Sequence, residues 1–255
     1  MIFESHAHYD DDAFEDDREE VLKHVIDSGG AYIMNVGANM ESTEETLEYT
    51  RKYPFVYGAA GVHPNEADEL NEELFARLRE IVKEEKILAV GEIGLDYYWY
   101  EPERDIQKKW FVRQLALARE CGLPVIIHSR EAAKDTYDIM KAGKAEEIGG
   151  VIHCFSYGKE MAEQFLNMGF YLGIGGVVTF NNAKRLKEVV EYAPIERLVT
   201  ETDCPYLSPV PNRGNRNDST NLVYVVDMIA ELKGMERERV EEQLFENAKR
   251  LYRVN

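Results

Sequence analysis

Residues 124–128 read PVIIH, a short apolar run that ends at once on a histidine. A run this short and rich in Val and Ile favours a buried strand over a helix, which needs about 10 residues. Similar runs recur along the chain, and each is followed by a stretch long enough for a helix. Eight are present: Ile2–Phe3, Ala31–Val36, Val56–Ala60, Ile87–Val90, Pro124–Ile127, Val151–Ile152, Tyr171–Ile174 and Leu198–Thr200. This order predicts repeated βα units.

No Gly/Ser-rich or Pro-rich linker interrupts the alternation, and 255 residues is an ordinary length for one barrel. We therefore predict the α/β class, with a single (β/α)8 TIM-type barrel domain over residues 1–255. An open eight-stranded sheet is the alternative, although no G-x-G-x-x-G turn or P-loop follows any strand. The last segment, Asn221 to Tyr252, predicts two helices broken near Gly234. The polar stretch from Ser208 to Ser219 predicts a loop after the eighth strand.

Composition and charge restrict the classes of function. The chain is 44% hydrophobic and 11% aromatic, which is enough for a large buried core. Its formal net charge of −18 argues against nonspecific wrapping of a polyanion such as duplex DNA. Eight of the eleven residues from Asp10 to Glu20 are acidic, which predicts a solvated face.

The N-terminus resembles no secretory signal, and no stretch approaches the ~18 apolar residues of a membrane span. Three widely spaced cysteines, Cys121, Cys154 and Cys204, fit neither a disulfide framework nor a Cys-rich zinc site. We expect a cytoplasmic protein with no membrane contact. No protein partner can be inferred.

Residue types that bind metals follow the predicted strands. Barrel enzymes place their chemistry at the carboxyl ends of the strands, so these positions are informative. His6 and His8 are two apart, so in an extended segment both imidazoles can face one ion. The full set is His6 and His8 after strand one, His63 after strand three, Glu92 after strand four, His128 after strand five, His153 after strand six and Asp203 after strand eight. Such clustering favours a divalent-metal site with N and O ligands at this end of the barrel.

These segments resemble the TatD-family metal-dependent deoxyribonucleases, within the amidohydrolase-like barrel hydrolases. The resemblance covers nearly the whole chain and rests on several motifs together. They are SHAH (5–8), GVHP (61–64), GEIGLD (91–96), PVIIHSR (124–130), HCFS (153–156), GIGGVVTF (173–180) and TETDCPYLSPVPNRGNRN (200–217).

The resemblance implies a site for one or two divalent ions. Imidazole-rich ligation suits Zn, Mn, Ni or Co, whereas phosphoryl transfer often uses Mg. The resemblance implies His6, His8, Glu92 and Asp203 around one ion, and Glu92, His128 and His153 around a second, with Glu92 shared. This chain departs from the common family pattern by Glu4 in place of Asp and Ala7 in place of Cys. Neither residue is an implied ligand, so we expect differences in the surrounding geometry and not in metal capacity.

The candidate catalytic residues are Asp203, Glu92 and His63. Asp203 is expected to bind metal and accept a proton from the attacking water, although a purely structural ligand is an alternative. His63 is expected to donate to a substrate oxygen, with a structural imidazole as the alternative. Glu201 either orients a ligand or is an ordinary paired carboxylate.

The candidate substrate contacts are Arg130, Arg213 and Arg216, in loops near the predicted site, where guanidinium groups can hold phosphate oxygens. The aromatic run from Tyr97 to Tyr100 is expected to pack its loop, with stacking on nucleobases as the alternative. Cys154 and Cys204 adjoin candidate ligands and are interpreted as packing residues.

The resemblance implies hydrolysis of phosphodiesters in DNA, acting 3′ to 5′ as an exonuclease on strand ends or short single strands. A second hypothesis keeps the site and changes the substrate to an ester or amide, as in a D-aminoacyl-tRNA deacylase. A third is a non-catalytic, metal-dependent nucleic-acid-binding protein.

Overall fold

The computed structural model describes residues 1–254. Its strands are β1 (Ile2–Ala7), β2 (Gly30–Val36), β3 (Val56–Ala60), β4 (Ile87–Asp96), β5 (Val125–Arg130), β6 (Gly150–Ile152), β7 (Tyr171–Ile174) and β8 (Leu198–Thr200). Its α-helices are α1 (Arg18–Asp27), α2 (Met40–Lys52), α3 (Glu72–Ile81), α4 (Arg104–Cys121), α5 (Ala133–Ala142), α6 (Lys159–Asn167), α7 (Lys184–Tyr192), α8 (Leu222–Lys233) and α9 (Arg237–Tyr252). The strands follow chain order in one sheet, from β1 to β8.

All eight predicted strands exist, and the bounds of β3, β7 and β8 match the apolar runs. The runs underestimate β1, β4 and β5, so His6, Glu92 and His128 lie inside strands and not after them. The reason is that a strand continues for as long as its backbone is paired. The β4–β5 ladder extends to Asp96 opposite Arg130, past the point where the side chains become polar.

The C-terminal prediction is confirmed. Helices α8 and α9 are separated at Gly234, which adopts a left-handed conformation with φ +60° and ends α8. Glycine has no Cβ, so the left-handed conformation causes little steric strain, and helices commonly end on glycine for this reason. Within the described residues, no helix is long and apolar enough to cross a bilayer.

The chain divides into two compact units. The first contains residues 1–35, 154–166 and 171–254. Here β1 pairs in parallel with β2, β7 pairs with β8, and a bridge joins Ala7 to Cys204. The last helix packs on this sheet, and the Tyr252 hydroxyl donates to the Ser5 carbonyl at 2.8 Å.

The second unit contains residues 36–153 and 167–170. Its parallel strands β3 to β6 are mostly buried, as expected for parallel sheets covered by helices. The buried Gln114 of α4 binds the backbone of Val62 through both ends of its amide, at 2.8 and 3.0 Å. The prediction of a single domain stays a prediction.

Candidate metal centre

The first unit brings His6, His8 and Asp203 together, and we call these residues the first cluster. The two Nε2 atoms of His6 and His8 are 3.1 Å apart. Asp203 Oδ1 lies 3.7 Å from His6 Nε2 and 3.5 Å from His8 Nε2. Metal–nitrogen bonds of ~2.1 Å separate neighbouring ligand atoms by roughly 3.0 to 3.4 Å. The donor types and their spacing therefore fit one divalent ion.

Buried Glu4 fixes the backbone on both sides of this cluster. Its Oε1 accepts from the N–H groups of His6 at 3.2 Å and Thr202 at 2.9 Å, and its Oε2 accepts from Thr202 Oγ1 at 2.6 Å. The Asp203 N–H donates to the His6 carbonyl at 3.0 Å. Burial raises the pKa of Glu4 to about 7. Glu4, which the sequence left without a role, positions residues next to two candidate ligands.

Glu201 serves a similar positioning purpose in the first unit. It is fully buried, and its carboxylate accepts from the N–H of Cys154, the residue directly after His153. A Cβ on Gly173 would lie 2.3 Å from Glu201 Oε2, so only glycine leaves room for this carboxylate. Cys204 is buried, which confirms its packing role, whereas Cys154 is only half-buried.

The second unit gathers three imidazoles around one carboxylate oxygen, and we call His63, Glu92, His128 and His153 the second cluster. Glu92 Oε1 lies 2.8 Å from His128 Nδ1, 2.9 Å from His153 Nε2 and 3.6 Å from His63 Nε2. Burial opposes ionisation of Glu92, but the adjoining imidazoles, with His153 first, outweigh it and hold the pKa of this carboxyl well below its usual range. Glu92 is therefore a carboxylate, the form that binds cations.

The tautomer of His63 can be read from its neighbours. Its Nδ1 accepts from the Asn65 N–H at 3.1 Å, which places the ring proton of a neutral imidazole on Nε2. Burial, and then the neighbouring His128, lowers the pKa of His63 to about 3, so the ring is neutral at physiological pH. His63 thus presents an N–H donor toward Glu92 and no lone pair for a metal.

Asp96 is a site residue that sequence reasoning missed. It is buried at the end of β4, and its Oδ2 lies 3.0 Å from His128 Nε2. Burial opposes the charged ring, but Asp96 and Glu92 together raise the pKa of His128. The available signal was its even spacing from Glu92 along one strand, which favours the same face. Asp96 orients a candidate ligand through its second ring nitrogen.

The three arginines differ in their contacts. Arg216 donates to both carboxylate oxygens of Asp17 at 2.8 and 2.6 Å and to the Ala13 carbonyl at 2.6 Å. Arg213 stacks over Phe180 at 4.4 Å, and Arg130 stacks over Tyr98 at 3.8 Å. Phosphate binding by any of them stays a prediction, and Arg216 would first have to leave Asp17.

The family described as TatD related DNase matches residues 3–253. The chain belongs to this family. It is 44% identical over 255 residues to the uncharacterized metal-dependent hydrolase YabD of Bacillus subtilis (strain 168), with 100% of each chain covered. It is 32% identical over 247 residues to the 3′-5′ ssDNA/RNA exonuclease TatD of Pantoea vagans (strain C9-1), covering 94% of this chain and 95% of the relative.

The fold of this TatD-family chain is shared with solved structures. The crystal structure of YJJV, a TatD homologue from Escherichia coli K12, superposes with a TM-score of 0.94 at 28% identity, covering 100% of this chain and 98% of that one. The predicted (β/α)8 fold is confirmed. The chain is a metal-dependent hydrolase that acts with divalent ions. The alternative of a non-catalytic nucleic-acid-binding protein is therefore set aside.

Proposed function

We propose that this TatD-family hydrolase removes nucleotides from the 3′ end of single-stranded DNA. The observation that carries the proposal is the pair of imidazole–carboxylate clusters, one in each unit, on a chain similar to a named 3′-5′ exonuclease. The acidic net charge of −18 supports contact with a strand end over contact along a duplex. A cytoplasmic location stays a prediction.

We assign metal binding to His6, His8 and Asp203 in the first cluster and to Glu92, His128 and His153 in the second. Divalent ions held there supply Lewis-acid polarisation of water and of the phosphodiester. Sharing of Glu92 by both ions stays a prediction from the family resemblance.

The remaining chemistry belongs to the side chains. Asp203, whose side chain is 18% exposed, accepts the proton of the attacking water. His63 donates its Nε2 proton to a substrate oxygen, a role supported by its tautomer. Glu4 holds the backbone at His6 and Thr202, Asp96 orients the ring of His128, and Glu201 accepts from the N–H of Cys154.

The test is a side-by-side assay of single-stranded DNA, aminoacyl-tRNA and simple esters with each candidate ion restored to chelated protein. We expect DNA to be the substrate turned over fastest, with activity falling steeply as salt rises. Preferred turnover of aminoacyl-tRNA or esters would replace the nuclease proposal with the ester-hydrolase hypothesis. Tight metal-free binding to duplex DNA would also contradict the proposal.

Metal removal is expected to lower thermal stability. An ion bound only by the folded state at 100 times its Kd stabilises that state by about 2.7 kcal/mol, which corresponds to roughly 5 to 10 °C in Tm. Calorimetry of chelated protein before and after addition of each ion measures this shift. His6→Gln should lose part of the shift, whereas His24→Gln, on the exposed face of α1, should keep all of it. A chelated protein with unchanged Tm would contradict a preformed metal site.

A further inference from the structure

The segment after β4 exposes three consecutive aromatic side chains. Tyr98 is 47% exposed, Trp99 54% and Tyr100 96%, and we call these three residues the aromatic segment. Of the run that we expected to pack its loop, Tyr97 does so through its hydroxyl, which donates to Asp135 at 2.7 Å. Large rings left in water cost free energy, and their concentration in one segment indicates a binding surface.

A single carboxylate ties this segment to the second cluster. Asp96 Oδ1 accepts from the N–H groups of Tyr98 at 2.9 Å and Trp99 at 3.4 Å. Its other oxygen lies 3.0 Å from Nε2 of His128, a candidate ligand. The same side chain therefore orients the start of the aromatic segment and an imidazole of the cluster. This contact places exposed rings beside the proposed chemistry, within one unit.

Two exposed cations accompany the rings. The guanidinium of Arg130 lies 3.8 Å from the centroid of Tyr98, and that of Arg104 lies 4.1 Å from the centroid of Tyr97. A guanidinium stacked on a ring keeps its N–H donors in its own plane, directed outward for a phosphate. The Tyr97 N–H also donates to the Arg130 carbonyl at 2.9 Å, which ties this end of β5 to the segment. Rings and cations together suit a ligand that is both flat and anionic.

We propose that the aromatic segment and Arg130 form a stacking subsite for nucleobases of single-stranded DNA. Trp99 and Tyr100 stack on the bases, and Arg130 binds a neighbouring phosphate. This inference rests on the proposed nuclease function and deepens it. Stacking tolerates any base because every base has a π face, so the subsite binds strands without reading their sequence. It also explains how a protein of charge −18 retains a polyanion at one place.

Binding measured without turnover tests the subsite. Chelated protein at low salt is titrated with a fluorescently labelled oligothymidylate, and Kd is read from anisotropy. Trp99→Ala should weaken binding by about 5- to 150-fold, the range for loss of one stacked base. An otherwise identical oligonucleotide with abasic 3′-terminal residues should bind wild type and Trp99→Ala equally. Tyr192→Ala, which removes a ring of similar exposure from α7, should leave Kd unchanged.

Intrinsic fluorescence gives an independent readout. The chain has two tryptophans, and Trp110 is buried while Trp99 is exposed. Stacking should quench emission when the normal oligonucleotide binds and leave it nearly unchanged with the abasic one. Equal affinities of wild type and Trp99→Ala for the normal strand would overturn the subsite, as would a loss of self-association in Trp99→Ala without a change in Kd.

The two proposals fail differently. If metal-loaded wild type degrades single-stranded DNA and Trp99→Ala does so with the same KM, the subsite is wrong and the nuclease proposal stands. If wild type neither binds nor degrades any oligonucleotide, the nuclease proposal fails and the subsite fails with it.

Discussion

Asp203→Asn is expected to lower the turnover of single-stranded DNA by about 10²- to 10⁴-fold, because asparagine cannot accept the proton of the attacking water. Asparagine should also preserve the backbone conformation at this position. Asp203 has φ +57°, a left-handed conformation that Asp and Asn tolerate better than other non-glycine residues. The variant should therefore fold normally, and nucleotide release with restored metal measures the loss.

A matched control shows whether the loss of turnover is specific to the carboxylate at the site or follows from removing any surface carboxylate. Asp227→Asn in α8 removes an exposed carboxylate of the same unit, one that pairs with Arg237 at 2.7 Å. Its turnover should equal that of wild type. Calorimetry of both variants in chelator should give Tm values close to wild type. Normal cleavage by purified Asp203→Asn protein would refute the assignment of Asp203 as the base.

Gly94→Ala should destabilise the protein by about 2 to 5 kcal/mol, through overpacking combined with backbone strain. Gly94 lies in β4 with φ +147°, and a Cβ there would sit 1.9 Å from the carbonyl oxygen of His128 in β5. That oxygen belongs to the backbone of the neighbouring strand, so it cannot rotate away as a flexible side chain would. We expect Tm to fall by roughly 5 to 20 °C.

Gly122→Ala is the control for Gly94→Ala. Gly122 also has a positive φ, +67°, but a Cβ there would meet no atom within 4 Å. It should cost only about 1 to 2 kcal/mol, the strain of the left-handed conformation alone. Equal Tm losses for the two variants would show that the close approach of β4 to β5 contributes nothing. Because the clash is with His128 itself, Gly94→Ala should also weaken metal retention.

Local patterns predicted the regular elements well. Strands β3, β7 and β8 have the same bounds as their apolar runs. Strands β1, β4 and β5 extend beyond their apolar runs, because their backbone pairing continues through the positions that carry the functional side chains. The apolar run therefore locates a strand, whereas its end is set by the neighbouring strand.

Some roles in the candidate site could be predicted from local sequence, whereas others depend on tertiary contacts. His6 and His8 could be paired from their spacing alone, because the two-residue period of a strand is a local property. The roles of Glu4 and Asp96 could not, because they depend on contacts with Thr202 and His128. The tautomer of His63 depends on the turn that brings the Asn65 N–H to its ring.

The order, spacing and types of the residues were enough to establish the βα repeat, the presence of imidazole and carboxylate side chains that can bind metal, and the family. Folding alone placed Asp203 within 3.5 Å of His8, set three imidazoles around Glu92, and left Trp99 exposed while Trp110 became buried. The physical reason is that a pattern along the chain encodes local geometry. Distances between remote side chains, their burial and their protonation arise only when the strands adopt a register and exclude water.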